Sequence, residues 1–215
     1  LNGRSFTKKP IMPRTTEQLE QIREESRERI IGSALRLFAR HGYAATSVRM
    51  IAEEAGISQG LLYNYFAGKE GLLRAIVERS MEDVQASFER AAGGATPRER
   101  IERLVHAAFD IVRANLSFWR LMYQLRMQPG VLADLQEGVQ AWSEAIRLQL
   151  EELLRAAAVP APALEARLLF ASIDGAAQHF AMDPEHYPIS EVAEALIRRF
   201  LSTPSGERPR PEQEM

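Results

Sequence analysis

Apolar residues recur every three or four positions along most of this chain, the period of a helix with one buried face. No stretch alternates with the period of two that a half-buried strand requires. The pattern predicts a long helix over residues 17–41. Its first part, E-Q-L-E-Q-I-R-E-E-S-R-E-R, is charged on all sides; its second part is apolar at Ile30, Ile31, Ala34, Leu37 and Phe38, and His41-Gly42 ends it. A second long helix is expected from Lys69 to about Ala92, closed by Gly93-Gly94. Thr96-Pro97 caps the next, which is apolar at Ile101, Leu104, Val105, Ala108, Phe109 and Val112. A break at Asn115 to Ser117 precedes F-W-R-L-M-Y-Q-L-R-M, which stops at Pro129-Gly130. Residues 131–158, 163–182 and 189–202 supply three more helices, separated by P-A-P and by D-P-E-H-Y-P. The result is an all-α chain of about nine helices with no internal repeat. Residues 1–16 lack periodicity and residues 203–215 are Pro-rich and charged, so both ends are expected to be disordered. Met12 is a natural initiator, which makes residues 1–11 either an upstream reading of the gene or part of a basic arm (Lys8, Lys9, Arg14) for phosphates.

Between residues 46 and 66 the period breaks into two short pieces, T-S-V-R-M-I-A-E-E-A-G-I and S-Q-G-L-L-Y-N-Y-F. Thr46 and Ser47 are N-cap types ahead of Val48, Ile51, Ala52 and Ala55. Gly56 stands where a helix end favours positive φ, and Ser58 caps a second helix two residues later. Leu62 and Phe66 lie four apart and share the face that docks on the first helix. Gly60 and Asn64 then point away, flanked by Leu61 and Tyr63, with Gln59 at the N-terminal end. This is the way a helix is offered to the major groove of DNA. Gln59 and Asn64 each pair a donor with an acceptor, matching the adenine N6/N7 edge. Gly60 permits close approach to a phosphate, Tyr63 and Tyr65 offer hydroxyls, and Lys69 and Arg49 offer charge. The same residues also suit an αα corner in an ordinary helical protein, with the tyrosines merely packing.

Three separated signatures fall in register: A-L-R-L-F-A-R-H-G-Y, the two-helix motif, and Y-x-Y-F-x-x-K-E-x-L-L. Residues 26–73, which hold them, resemble the N-terminal domain of the TetR family of bacterial transcriptional regulators. The resemblance implies a three-helix helix-turn-helix head over residues 17–71 and a helical ligand-binding and dimerisation body over residues 72–202. It implies a dimer that binds a palindromic operator in double-stranded DNA, usually as a repressor, and is released by a small molecule. Four positions depart from the family pattern. Met50 stands where an acidic residue usually closes a capping box, so the cap rests on Ser47 or Thr46. Gln59 replaces a frequent Lys, Leu61 a small polar residue, and Gly68 a Ser or Asp cap. These departures leave the fold intact and bear on the operator sequence.

Composition then sets limits. Apolar content of 46% with 26% charged residues suits a globular protein, and no apolar run approaches the ~18–20 residues that span a membrane. Zero cysteines excludes disulfides and thiolate metal sites and fits the cytoplasm; the four histidines form no metal-ligand spacing, and no cofactor is expected. Net charge is only −2, but residues 1–71 carry 11 basic and 8 acidic side chains while residues 72–215 carry 16 and 21. A basic head on an acidic body is the asymmetry expected of a DNA-binding protein.

Within the body, Phe109, Phe118, Trp119, Met122, Tyr123, Met127, Trp142 and Phe170 cluster as core or as an apolar inducer pocket. Arg113, Arg120, Arg126 and Asp174 lie on or near apolar faces, and one facing the pocket would meet a polar ligand group. The pocket expected from these residues comprises Phe109, Arg113, Trp119, Met122, Tyr123, Trp142, Phe170 and Asp174, and it suits an acyl chain or a flat aromatic. Ala171, Ser172, Gly175, Ala176 and His179 on one helix, with Val192, Leu196, Ile197 and Phe200 on the last, suit self-association through close helix approach, or packing inside one protomer. His106 and Asp110, four apart, form a conceivable pair without an accompanying nucleophile. No G-x-x-x-x-G-K-[ST] or G-x-G-x-x-G appears, so a nucleotide-dependent enzyme is disfavoured. The competing class is a helical small-molecule-binding protein or enzyme that uses the corner structurally.

Overall fold

Thr15 opens the first helix with a full capping box: its hydroxyl accepts from the Gln18 backbone N–H, and the Gln18 side chain accepts from Thr15. The computed structural model describes residues 15–91, 93–126, 128, 130 and 135–201. Among these are nine α-helices and no strand: α1 (Thr16–His41), α2 (Val48–Glu54), α3 (Gln59–Tyr63), α4 (Gly68–Ala91), α5 (Pro97–Ala114), α6 (Leu116–Arg126), α7 (Gln136–Ala156), α8 (Pro162–Met182) and α9 (Ile189–Leu201). The expected order holds, with shifted ends. Residues 15 and 16 belong to the first helix and its cap rather than to an arm. The helix expected from residue 131 begins at Gln136, after Leu135, which offers no side-chain cap. The expectations for residues 1–14, 202–215 and Met127 lie outside the described residues.

Two hydrophobic cores organise these helices. In the first, Ile30, Ala34 and Phe38 of α1 meet Ile51 of α2, Leu62 and Phe66 around α3, and Leu72 and Ile76 of α4. Leu62 is fully buried although α3 has barely one turn. A helix that short has no independent stability, so it is held by this anchor, worth about 1.5–3 kcal/mol, and by its Ser58 cap. The second core joins α5, α7, α8 and α9 through Leu104, Phe109, Leu154, Leu169, Phe180 and Phe200.

Helix α6 stands between the cores. Phe118, Leu121 and Leu125 belong to the first core, and Trp119 packs against both. No helix among the described residues is long and apolar enough to cross a membrane.

Candidate nucleic-acid interface and ligand cavity

The α2–α3 unit is built by its caps. Ser47 Oγ accepts from the Met50 N–H at 3.2 Å, and Ser58 Oγ accepts from the Leu61 N–H at 3.1 Å. Gly42 and Gly56 take φ of 82° and 68°, the left-handed region that closes α1 and turns α2 toward α3. Thr46, one of the two candidate caps, does not cap α2. It is 1% exposed, and its hydroxyl donates to the Leu37 and Gly42 carbonyls at 3.3 and 2.8 Å, tying α2 to the end of α1.

Around the buried Leu62, the α3 surface is open. Ser58, Gln59, Gly60, Leu61, Tyr63 and Asn64 are all exposed, with Leu61 at 40% and Tyr63 at 55%. Tyr65 is half-buried and packs on the first core beside Phe66. Ser47 is exposed at the start of α2. Arg49 is exposed and pairs with Glu53 at 3.2 Å, a surface ion pair weak enough to exchange for a phosphate.

Lys69 departs from the expectation of a free positive charge. Its ammonium donates to the Tyr43 and Ala44 carbonyls at 3.0 and 3.3 Å and sits 4.7 Å from the centre of the Tyr43 ring. It therefore closes the corner after α1. Burial, with the charge of Glu70 next, pushes the Tyr43 hydroxyl up to about 12, so it stays neutral.

Below α6 lies a cavity of about 190 Å³. Trp119, Met122, Tyr123, Trp142, Phe170 and Asp174 line it, as expected, and so do Met81 and Phe88 of α4 and Ile146 of α7, which sequence periodicity alone did not single out. Two expected members are elsewhere. Phe109 is 1% exposed in the second core, and Arg113 faces a separate cleft, where it donates to Asp110 at 3.1 Å and Ser190 at 2.6 Å. Asp110 is thus engaged by Arg113 while His106 faces Glu194 at 3.5 Å, so the conceivable His106–Asp110 pair does not form. Arg120 donates to the Ala181 carbonyl at 2.7 Å.

The polar wall of the cavity is an ion pair between α6 and α8. Arg126 donates to both Asp174 carboxylate oxygens, at 2.7 and 3.1 Å, and the Tyr123 hydroxyl lies 3.5 Å from one of them. Burial, with the Asp174 charge second, pushes the Tyr123 hydroxyl well above the ordinary tyrosine value. The indole Nε1 atoms of Trp119 and Trp142 are buried without a hydrogen-bond partner among the described residues.

On α8, Ala171 is exposed, Ser172 and Gly175 are half-buried, and His179 is exposed beside the Tyr187 ring. Ala176 and Phe200 are 6% and 7% exposed and belong to the second core, as does Ile197. Three exposed residues had escaped notice: Leu164 (56%), Leu168 (47%) and Met182 (72%). At about 100° per residue, Leu164, Leu168, Ala171, Gly175 and Met182 form one narrow stripe, opposite the buried Leu169, Ala176 and Phe180. A Cβ added at Gly175 meets nothing within 4 Å, so the stripe is open there. Val192 and Leu196 of α9 are half-buried.

Comparison with known proteins places these features together. Residues 30–76 match the family model described as bacterial regulatory proteins, tetR family, and residues 97–203 match that of the BetI-type transcriptional repressor, C-terminal. A relative from Bacillus subtilis (strain 168), described as the uncharacterized HTH-type transcriptional regulator YerO, is 31% identical over 135 residues, covering 61% of this chain and 45% of its own length. The chain spans about half the length of the curated relatives it matches. Two solved structures share the fold. The Bacillus subtilis transcriptional regulator FadR in complex with stearoyl-CoA aligns with a TM-score of 0.68 at 20% identity, covering 81% of this chain and 97% of that one. The SmeT–triclosan complex aligns with a TM-score of 0.65 at 24% identity, covering 87% and 100%.

Proposed function

We propose that this chain, which belongs to the TetR family of bacterial regulatory proteins, is a ligand-responsive repressor that binds a two-fold DNA operator as a dimer. The observation that carries the reading is the outer face of α3. A helix with no stability of its own is pinned by Leu62 and capped by Ser58, and everything it exposes, from Gln59 to Asn64, suits a groove. Ser47, Arg49 and Tyr63 lie where they can meet phosphates, and Gln59 and Asn64 where they can read base edges. Thr46 and Lys69 support that surface from behind. The head is residues 17–71 and the sensing body residues 72–202.

The α8 stripe supplies the dimer contact, with Val192 and Leu196 of α9 at its side. A leucine-rich stripe exposed on one helix is unusual for a surface left free in water. The cavity supplies the effector site. Two relatives of the fold were solved with stearoyl-CoA, which carries a long apolar acyl chain, and with triclosan, and the apolar wall here suits a ligand with such an apolar part. The BetI-type repressor match over residues 97–203 supports the negative sign of regulation.

Selection of bound duplexes from a random pool tests the proposal. An inverted repeat should emerge, and its affinity should fall steeply with salt as phosphate contacts release counterions. Failure to enrich any duplex, or binding indifferent to salt, would overturn it.

A further inference from the structure

The cavity wall holds two indole donors that the fold leaves unmatched, beside the Ser143 hydroxyl and the Gln149 amide. Trp119 and Trp142, the chain's two tryptophans, both line it, and each carries a buried Nε1–H with no partner among the described residues. An indole N–H can only donate, and a buried donor left unmet is costly. Methionines and aromatic rings make up the surrounding wall (Met81, Met122, Phe170), soft surfaces that adapt to a guest and let an indole turn toward it.

The charged groups at the same wall are already matched. Both Asp174 oxygens accept from Arg126, so a cationic guest finds no free carboxylate. The Arg126 guanidinium also lies 5.2 Å from the centre of the Tyr123 ring, placing positive charge where a cation would otherwise rest. An anionic guest would find only the Arg126 N–H groups that Asp174 leaves free, and would sit beside the repelling Asp174 carboxylate.

We propose that the cavity takes an uncharged, mostly apolar molecule bearing acceptor oxygens, in the manner of a ketone, ester or aryl ether, and that the Trp119 and Trp142 indoles are its donors. The inference rests on the reading of this cavity as the effector site. A volume of about 190 Å³, against the ~150 Å³ that holds benzene, points to a core of bicyclic size.

A matched series tests it: tetralin, 1-tetralone, 1-aminotetralin as its ammonium, and tetralin-1-carboxylate, titrated into the full chain by calorimetry. 1-Tetralone should bind about tenfold more tightly than tetralin. In a nitrogen–proton correlation spectrum the two indole N–H signals should move downfield with the ketone and not with the hydrocarbon. Trp119→Phe and Trp142→Phe assign the signals, and each should narrow the ratio of ketone to tetralin affinity measured on the same variant. The wild-type spectrum needs no variant, so poor folding of either substitution does not spare the idea. Tetralin binding as well as the ketone overturns the inference and leaves the effector site standing. Tightest binding of the ammonium, or of the carboxylate with loss in Arg126→Ala, overturns it too. If none of the four binds, the effector-site reading falls with it.

Discussion

Replacing Leu164 and Leu168 together by Ser strikes the α8 stripe without touching either core. The two side chains are 56% and 47% exposed in the single protomer, so covering both hides about one leucine side chain per protomer and about two per two-fold dimer. At about 1.5–3 kcal/mol for each leucine removed from water, the double substitution costs the dimer roughly 3–6 kcal/mol. The dissociation constant should rise about a hundredfold to ten-thousandfold. Since these side chains face away from Leu169, Ala176 and Phe180, the protomer's own stability should shift by no more than about 1 kcal/mol, mostly helix propensity. Sedimentation velocity across a concentration series, with a thermal melt of the dispersed protein, measures both quantities. The control is Ala176→Arg, which drives a charge into the second core and should unfold the protomer rather than dissociate it. A wild-type chain monomeric throughout the micromolar range, or a double variant that dimerises as well as wild type, would refute the assignment of the stripe.

Gln59→Ala should cost about 1–3 kcal/mol on the selected duplex and relax preference at one base position; uniform weakening across all duplexes in a binding titration would reassign Gln59 to backbone contact. Lys69→Ala removes two donations to carbonyls and a contact with the Tyr43 ring, so denaturant unfolding should show about 1.5–3 kcal/mol lost. The salt slope of DNA binding should stay unchanged, whereas a drop of one unit would mean that Lys69 reaches a phosphate after all. Leu121→Ala empties a fully buried site where α6 meets the head core. It should cost about 2–5 kcal/mol of stability, and at temperatures where the variant stays folded it should reduce the release of DNA by an effector more than it reduces DNA affinity itself.

The helix order and the exposed face of α3 were legible because both depend on local signals. Caps at Ser47, Ser58 and Thr96, glycines at 42 and 56, and the Leu62–Phe66 spacing each act within a few residues, and the geometry follows them. What escaped was tertiary. Thr46 has the same chemistry as Ser47, and only the position of the α1 end decides that one is swallowed and the other caps. Phe109 and Phe170 belong to similar apolar stripes, but α9 covers the first and the cavity meets the second. The proposed dimer face draws on Leu164, Leu168 and Met182, which remain exposed on a helix whose opposite face is buried. No periodicity shows that in a helix apolar on two sides, since α8 reads as hydrophobic nearly all round.

Helix α6 would give a ligand in the cavity a short route to the proposed DNA-facing surface. α4 also spans head and body, contributing Leu72 and Ile76 to the head core, Phe88 to the cavity, and Met81 to both. In α6 the two roles alternate within a single turn: Leu121 and Leu125 press on the head core, while Met122, Tyr123 and Arg126 line the cavity. A close-packed wall of that thickness cannot yield on one side and stay put on the other. A guest that widens the cavity or breaks the Arg126–Asp174 tie between α6 and α8 must shift Leu121 and Leu125 against α1, and with it the corner from which α3 projects. Because coupling is reciprocal, DNA that fixes the head must tighten the same wall and weaken the guest, by the 1–3 kcal/mol typical of such linkage. Effector affinity measured with and without saturating operator therefore reads the coupling directly, and equal affinities would mean that α6 carries none of it.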